Sequence, residues 1–404
     1  MELSRNVTGS VGELAGLHVL EFGHYVAAPH CAMILADHGA DVIKVEPTDG
    51  EPGRRSAPLG SHEMSYYFSS HNRRKKSLAL DLHSDEAAPI LKALLSWADV
   101  VVTNYSPGTP ERLGFGYEQI KVINPRCVLV HIMGFGRNTG YSDYAAFDGV
   151  LQAMSGFSDL NGDPTGPPHL SGVQIADHAA AIHAAFAAMA ALWRRLSAGE
   201  GEYLEISMLR VMTSMLSFVV PQFGIDGRAA TRSGNRPEMR FVNVYCAKDG
   251  YVYVAPISKV MWHSLMEVLE SPQWAEADVV ETGRYFKDPE LRQLIDSRLG
   301  SWIEERSATE AVSVLQGRGI ASAHFLGIQD LFRDSALGPW TLPVRSSSGW
   351  EGVAAAGSFG NCGIDIDSVL VPLLGEHSRE VLIDIGVSRD EVERLIASRV
   401  VIGE

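Results

Sequence analysis

The sequence predicts an α/β protein, with a doubly wound parallel sheet in a large domain and a second, smaller α+β domain. Three observations carry this. Short apolar runs of strand length alternate with helix-length segments through the first half. The runs are apolar at nearly every position, as strands covered on both faces are. From about Gly224 the pattern changes to a hairpin followed by helices. The expected divisions are 1–223 for the first part of the large domain, 224–334 for the small domain and 335–404 for a C-terminal return to the large one.

Taken in order, His18-Val19-Leu20-Glu21-Phe22 reads as a strand, Ala27 to His38 as a helix, and Asp41 to Glu46 as a buried strand. A Gly/Pro-rich loop occupies Pro47 to Gly60. Ser77 to Leu82 is strand-like, Asp85 to Trp97 helical and Asp99 to Thr103 a strand; a helix near Tyr117 to Ile123 precedes the strand Cys127 to Ile132. Pro and Gly cluster between Gly156 and Gly172, which marks a loop within the large domain. The alanine-rich helix that follows carries Ile182, Phe186, Met189 and Trp193 on one stripe, a core-facing spacing. Arg194-Arg195 suits its C-terminal end and Gly199 stops it. Tyr203 to Ser207 is the next strand and Ala229 to Met239 a polar linker. Asn243-Val244-Tyr245 and Tyr251 to Val254 flank Lys248-Asp249-Gly250, a hairpin signal. Helices follow at Lys259 to Leu269, Pro289 to Glu305 and Thr309 to Gln316, and a helical tail from Glu376 to Ala397 packs back on the first domain.

Composition removes several classes of function. A chain of 404 residues is long enough for two cores. Its net charge of −15 argues against nucleic acid or an anionic membrane as partner. Cys31, Cys127, Cys246 and Cys362 form no C-x-x-C pair, so each reads as a small buried hydrophobe in a reducing, cytoplasmic setting. Fourteen histidines show no H-E-x-x-H spacing, and no structural metal is expected. The N-terminus lacks the apolar core of a signal peptide. Ala179 to Trp193, interrupted by His183, is too short for a membrane span.

The opening strand–helix–strand unit has the Rossmann-like form of a dinucleotide site, but its turn, Gly23 to Ala28, holds a single glycine. Close approach of a pyrophosphate needs more, so nicotinamide binding is not expected, and Glu46 reads as a strand-end acid pairing with a local base. Asn72-Arg73-Arg74-Lys75-Lys76-Ser77 stands out in an acidic chain as a candidate phosphate site, which Arg54, Arg55 and Arg112 join where strand ends converge. Neither a phosphate-binding P-loop nor a G-x-S-x-G elbow is present. Asp177 opens the alanine-rich helix. Unpaired N–H groups and the helix dipole there favour an ionised carboxylate, able to attack an activated acyl group. The plainer reading is a helix cap. His178 and His183 rank below it as acid–base groups.

Several motifs occur in one order: Leu35 to Pro47; Asn72 to Ser77 with Leu80-Asp81-Leu82; Asn104-Tyr105-Ser106-Pro107-Gly108 with Arg112-Leu113-Gly114; Gly134-Phe135-Gly136; Gly166-Pro167-Pro168 through Asp177; Lys248 to Tyr251; and Leu374 to His377 with Val381-Leu382. Together they resemble the class III CoA-transferase family, the CaiB/BaiF group that includes formyl-CoA and carnitinyl-CoA transferases and has methylacyl-CoA racemases as relatives. The resemblance spans nearly the whole chain. It implies that Asp177 is the nucleophile that takes an acyl group, then CoA, from an acyl-CoA donor and passes CoA to a free carboxylic acid. No ATP, metal or permanently bound cofactor is implied. Lys44, Lys75, Asn104 and Arg112, with Arg54 joining them, are the expected contacts of the CoA nucleotide. The implied assembly is a dimer of ring-like chains threaded through each other, formed with a second copy or with a paralogous chain.

Departures from the family pattern narrow the reading. Phe147-Asp148 stands where the racemases carry a His-Asp pair, and Phe147 cannot move a proton, which disfavours two-base racemisation. Ser106 replaces an arginine found in many members, removing one expected nucleotide contact. The glycine-rich loop of the oxalate-linked formyl-CoA enzymes is missing near Gly234 to Arg240, which weakens formyl or oxalyl substrates. The competing readings are a non-catalytic CoA-binding subunit of a hetero-oligomeric transferase and a racemase-type enzyme.

Overall fold

The structure is a computed structural model, and it describes residues 12–237, 240–275, 288–337, 340–357 and 369–403. Cys362 lies outside the described residues, as do Glu238 and Met239 at the end of the polar linker. The chain forms two compact units: 1–157, 170–220 and 339–404 in one, 158–169 and 221–338 in the other. The second unit thus takes in most of the Gly/Pro-rich stretch that the sequence reading kept within the large domain.

The first unit is built on strands β1 (His18–Phe22), β2 (Asp41–Glu46), β3 (Lys76–Leu80), β4 (Val100–Thr103), β5 (Val128–Met133) and β6 (Tyr203–Ser207). Its helices are α1 (Ala27–Asp37), α2 (Tyr66–His71), α3 (Ala87–Trp97), α4 (Thr109–Arg112), α5 (Tyr117–Ile123), α6 (Asp148–Met154), α7 (Ile175–Ala198) and α8 (Met208–Ser214). The sheet order is β3-β2-β1-β4-β5-β6, all parallel, with the C-terminal strand Val401–Ile402 added antiparallel to β3. The strand order reverses between β1 and β4. In such sheets the loops leaving those two strands diverge and open a crevice.

Alternation along the strands divides the core. Val19, Val42, Val100, Val102, Val128 and Val130 face α1 and α7, whereas Leu20, Ile43, Leu78, Val101 and Leu129 face α3, α5 and the C-terminal helices. Neighbouring residues of one strand serve opposite faces because side chains alternate across it. The tail is two helices, Ser378–Asp384 and Arg389–Ala397, parted by Gly386 at φ 94°. Its Val381, Leu382, Val392 and Leu395 complete the second face, so the tail returns to this unit.

Helix α7 reverses one expectation. Ile182, Phe186, Met189 and Trp193 are 56%, 76%, 36% and 77% exposed, whereas Ala180, Ala181, Ala184 and Ala188 are fully buried. The 3.6-residue period identifies a stripe but does not say which stripe faces the core. Alanines on α7 meet Ala27, Ala28, Ala32 and Ala36 of α1, and two small-residue faces approach closely only if the bulky side chains point outward. The helix also runs 24 residues, long and apolar enough by composition to cross a membrane, contrary to the shorter stretch expected. Its alanine face is instead the packing surface for β5, α1 and α8.

The second unit holds the expected hairpin, Asn243–Ala247 with Gly250–Val254, extended by Ser322–His324. Helices Lys259–Val268, Pro289–Glu304 and Ala308–Gly317 supply Trp262, Leu265, Ile295, Leu299, Ile303 and Leu315 to its core. A third sheet, Thr341–Arg345 with Glu351–Ala355 and Val369–Leu370, was not foreseen; it belongs to the first unit, where it packs on Met64 and Phe68.

Candidate active site

Loops leaving β1, β4 and β5 converge on a crevice of about 690 Å³ at the switch point. His24 and Asn104 close its floor by exchanging two hydrogen bonds: the His24 N–H donates to Asn104 Oδ1 at 2.9 Å, and Asn104 Nδ2 donates to the His24 carbonyl at 2.9 Å. This clamp joins the loops after β1 and β4. Tyr25, next in the chain, sits at φ 59°, a left-handed conformation unusual outside glycine. The buried Glu51 carboxylate holds it there by accepting its N–H at 3.2 Å.

Asp177 lies in the first turn of α7 and lines this crevice. The cap reading fails on geometry. Asp148, at the start of α6, accepts the N–H groups of both Ala176 (2.7 Å) and Asp177 (3.3 Å), while Asp177 itself takes no side-chain hydrogen bond among the described residues. Gln152 secures this arrangement, donating to Asp148 and accepting the Ser171 N–H at 2.8 Å. The expectation that the helix end holds Asp177 ionised is also corrected. Burial first, and the Asp148 carboxylate second, raise its pKa to about 7. Asp148 has already taken the helix-end donors that would have opposed the shift. Half-neutral at neutral pH, Asp177 is an uncommonly basic carboxylate, and hence a stronger nucleophile once ionised.

Tyr25, Tyr67 and Phe147 surround it in edge-to-face contacts, with Tyr25 6.4 Å from each of the other two ring centroids. Burial and then Asp177 push the Tyr67 hydroxyl up to about 12, so it remains a neutral donor. Phe147 lines the crevice together with Asp177 and has no proton to transfer.

The basic residues fall elsewhere. Lys44 is fully buried and donates to Glu21 Oε1 (2.7 Å) and the Gly23 carbonyl (3.0 Å). Lys75 donates to Glu21 Oε2 (2.7 Å), the Pro29 carbonyl (2.8 Å) and Asn72 Oδ1 (2.8 Å), which uses all three of its hydrogens. Arg54 makes a bidentate pair with Glu46, at 2.6 and 2.7 Å, over the Phe68 ring. Glu46 therefore pairs with a local base, as its sequence position suggests. Arg73 is buried against Asp37, Lys76 bonds Glu380, and Arg55 pairs with Asp49. The 72–76 run is thus not an open phosphate patch, and Lys44, Lys75 and Arg54 do not present free cations; each has a carboxylate that offsets its burial. Arg112 differs. It is exposed on α4 beside the Ser106–Gly108 loop, and its guanidinium donates to Thr109 Oγ1 at 2.7 Å. Asn104 lines the crevice as expected.

Sequence reasoning missed Asp148 as the partner of Asp177, together with Tyr25 and Tyr67. No spacing signals these, because they come from separate elements. Cys31 and Cys127 are buried, with thiols pushed up to about 12 by burial, but Cys246 is exposed, against expectation.

CoA-transferase family III matches residues 14–377 of the chain. The succinyl-CoA:mesaconate CoA-transferase of Haloarcula hispanica is 33% identical over 390 residues, covering 93% of this chain and 97% of that protein. The formyl-CoA:oxalate CoA-transferase of Streptomyces avermitilis is 31% identical, covering 96% of this chain and 99% of that protein. The crystal structure of a CAIB/BAIF family protein from Brucella suis superposes with a TM-score of 0.79 at 26% identity, over 93% of this chain and 100% of the other. Sequence and fold agree over the same length, and the chain belongs to CoA-transferase family III.

Proposed function

We propose that the chain exchanges CoA between an acyl-CoA donor and a free carboxylic acid by covalent catalysis on Asp177. The observation that carries this is a basic, half-buried carboxylate that takes no side-chain hydrogen bond among the described residues, set at the head of a switch-point crevice. The ionised Asp177 oxygen attacks the donor thioester carbonyl; the C–S bond breaks and CoA thiolate leaves, giving an aspartyl–acyl anhydride. The thiolate attacks the aspartyl carbonyl carbon, expelling the donor acid as carboxylate and leaving an aspartyl-CoA thioester. An acceptor carboxylate then attacks that thioester, releasing thiolate and forming a second anhydride. Attack of the thiolate on its acyl carbonyl yields the new acyl-CoA and frees Asp177. One thioester replaces another, so no outside energy source is required.

Relatives named for succinyl-CoA with mesaconate, D-citramalate or glutarate make succinyl-CoA the first donor to test, with formyl-CoA second. Of the expected CoA contacts, Asn104, which lines the crevice, and the exposed Arg112 are the two retained in this proposal. The test is mass spectrometry of the intact chain after mixing with each donor. A CoA-sized adduct on the Asp177 peptide is expected, and Asp177→Ala is expected to lose both adduct and transfer while still binding CoA. Full transfer by Asp177→Ala would overturn the covalent route. We further propose a dimer with a second copy, supported by the outward stripe on α7; contiguous apolar patches of such side chains are uncommon on monomers.

A further inference from the structure

Three helices bring together histidines far apart in the chain: His30 from α1, His71 from the end of α2 and His178 from α7. One ring nitrogen from each lies within 4.8 Å of the others. The rings meet edge to face, with centroids 4.7 to 5.4 Å apart. None of the three lines the crevice that holds Asp177. We propose that His30, His71 and His178 form a binding site for one borderline divalent transition-metal ion, of which Zn²⁺ is the fitting example.

Four features of the cluster support this. His178 Nδ1 lies 2.7 Å from the Gln174 carbonyl. A carbonyl only accepts, so Nδ1 carries the proton and Nε2 is left with its lone pair. A ring anchored to a backbone carbonyl through its second nitrogen is the usual arrangement of a metal-bound histidine. His71 is 7% exposed, and its Nδ1 has no hydrogen-bond partner; the buried Nδ1 of His30 has none either. Buried polar atoms are ordinarily satisfied, so two orphans in one cluster point to a missing group.

Protonation state and charge fit as well. Burial first, then the neighbouring histidine and nearby cations, hold His30 down to about 3, and His71 is also held well below the ordinary value. Both are neutral at neutral pH, the form that binds metal. The nearby cations Arg73 and Lys75 are each paired with a carboxylate, Asp37 and Glu21, which offsets their repulsion of an ion. Three imidazoles suit zinc, copper or nickel and not the oxygen-seeking Mg²⁺ or Ca²⁺. Zinc–nitrogen bonds of about 2.0–2.1 Å place tetrahedral ligands roughly 3.4 Å apart. The rings therefore have to close by no more than about 1.4 Å at the widest pair, within reach of side-chain rotation on rigid helices. A fourth position remains for water or an anion.

The test uses the full chain, stripped with chelator and titrated calorimetrically with Zn²⁺. One equivalent is expected to bind, and His71→Gln and His30→Gln are each expected to weaken it by at least about 100-fold, since even outer-shell losses cost 10–100-fold. Circular dichroism of the metal-free variants checks their folding. X-ray absorption of the zinc-loaded wild-type chain provides a readout independent of any variant and should show three imidazole ligands. Absence of uptake by the wild type, equal affinity in the variants, or fewer than three histidine ligands would each overturn the site. None of these readouts uses transferase activity, so they stand apart from the role of Asp177.

Discussion

At the scale of single residues, the proposed chemistry turns on two carboxylates that share one helix start. Asp148 accepts the N–H groups; Asp177 is left half-buried beside it, with its pKa raised to about 7. A raised acid pKa means that the attacking anion becomes populated only as pH climbs through about 7, so kcat/KM should rise through that region. Asp148→Asn removes the like charge while retaining a side chain that can still accept from the helix start. Its ascending limb should move to lower pH, measured as kcat/KM against pH. An unmoved limb would show that burial alone sets the basicity of Asp177. The sequence displayed Asp177 at a helix start but gave no sign of this coupling, because the second carboxylate arrives from another helix.

At the scale of elements, α7 shows how packing overrides period. Its alanine face meets the alanine face of α1, and the larger side chains are turned out. Ala184→Leu should therefore destabilise the fold by about 1–3 kcal/mol through overpacking, read as a lower midpoint in thermal or urea melts. Phe186→Ser, on the outward face, should leave the midpoint of the isolated chain nearly unchanged. The strands of the parallel sheet were legible because burial on both faces leaves them nearly continuous apolar runs. So were the hairpin, through Lys248-Asp249-Gly250, and the stop at Gly199. The third sheet was not, since Thr341–Arg345 and Glu351–Ala355 are short and carry Pro343 and Gly352, residues that argue against a strand. The basic run 72–76 misled for a related reason: a count of cations does not reveal that Glu21 and Asp37 lie beneath them.

At the scale of the whole molecule, the outward stripe of α7 bears on assembly. Phe186→Glu with Trp193→Glu places two charges on that face, and light scattering after size exclusion should show the proposed dimer falling to a single chain. A dimer that persists would assign the stripe another purpose. The buried pairing of Lys44 and Lys75 with Glu21 carries one more consequence. Thioesters and acid anhydrides acylate free amines, and the route proposed for Asp177 passes through both. The crevice around Asp177 is lined by no lysine, and the two lysines held by Glu21 have their amines bonded and shut away from solvent. Lys92 and Lys121, by contrast, are exposed. On the proposed route, the pairing with Glu21 that holds Lys44 and Lys75 inside the fold also withholds their amines from acylation.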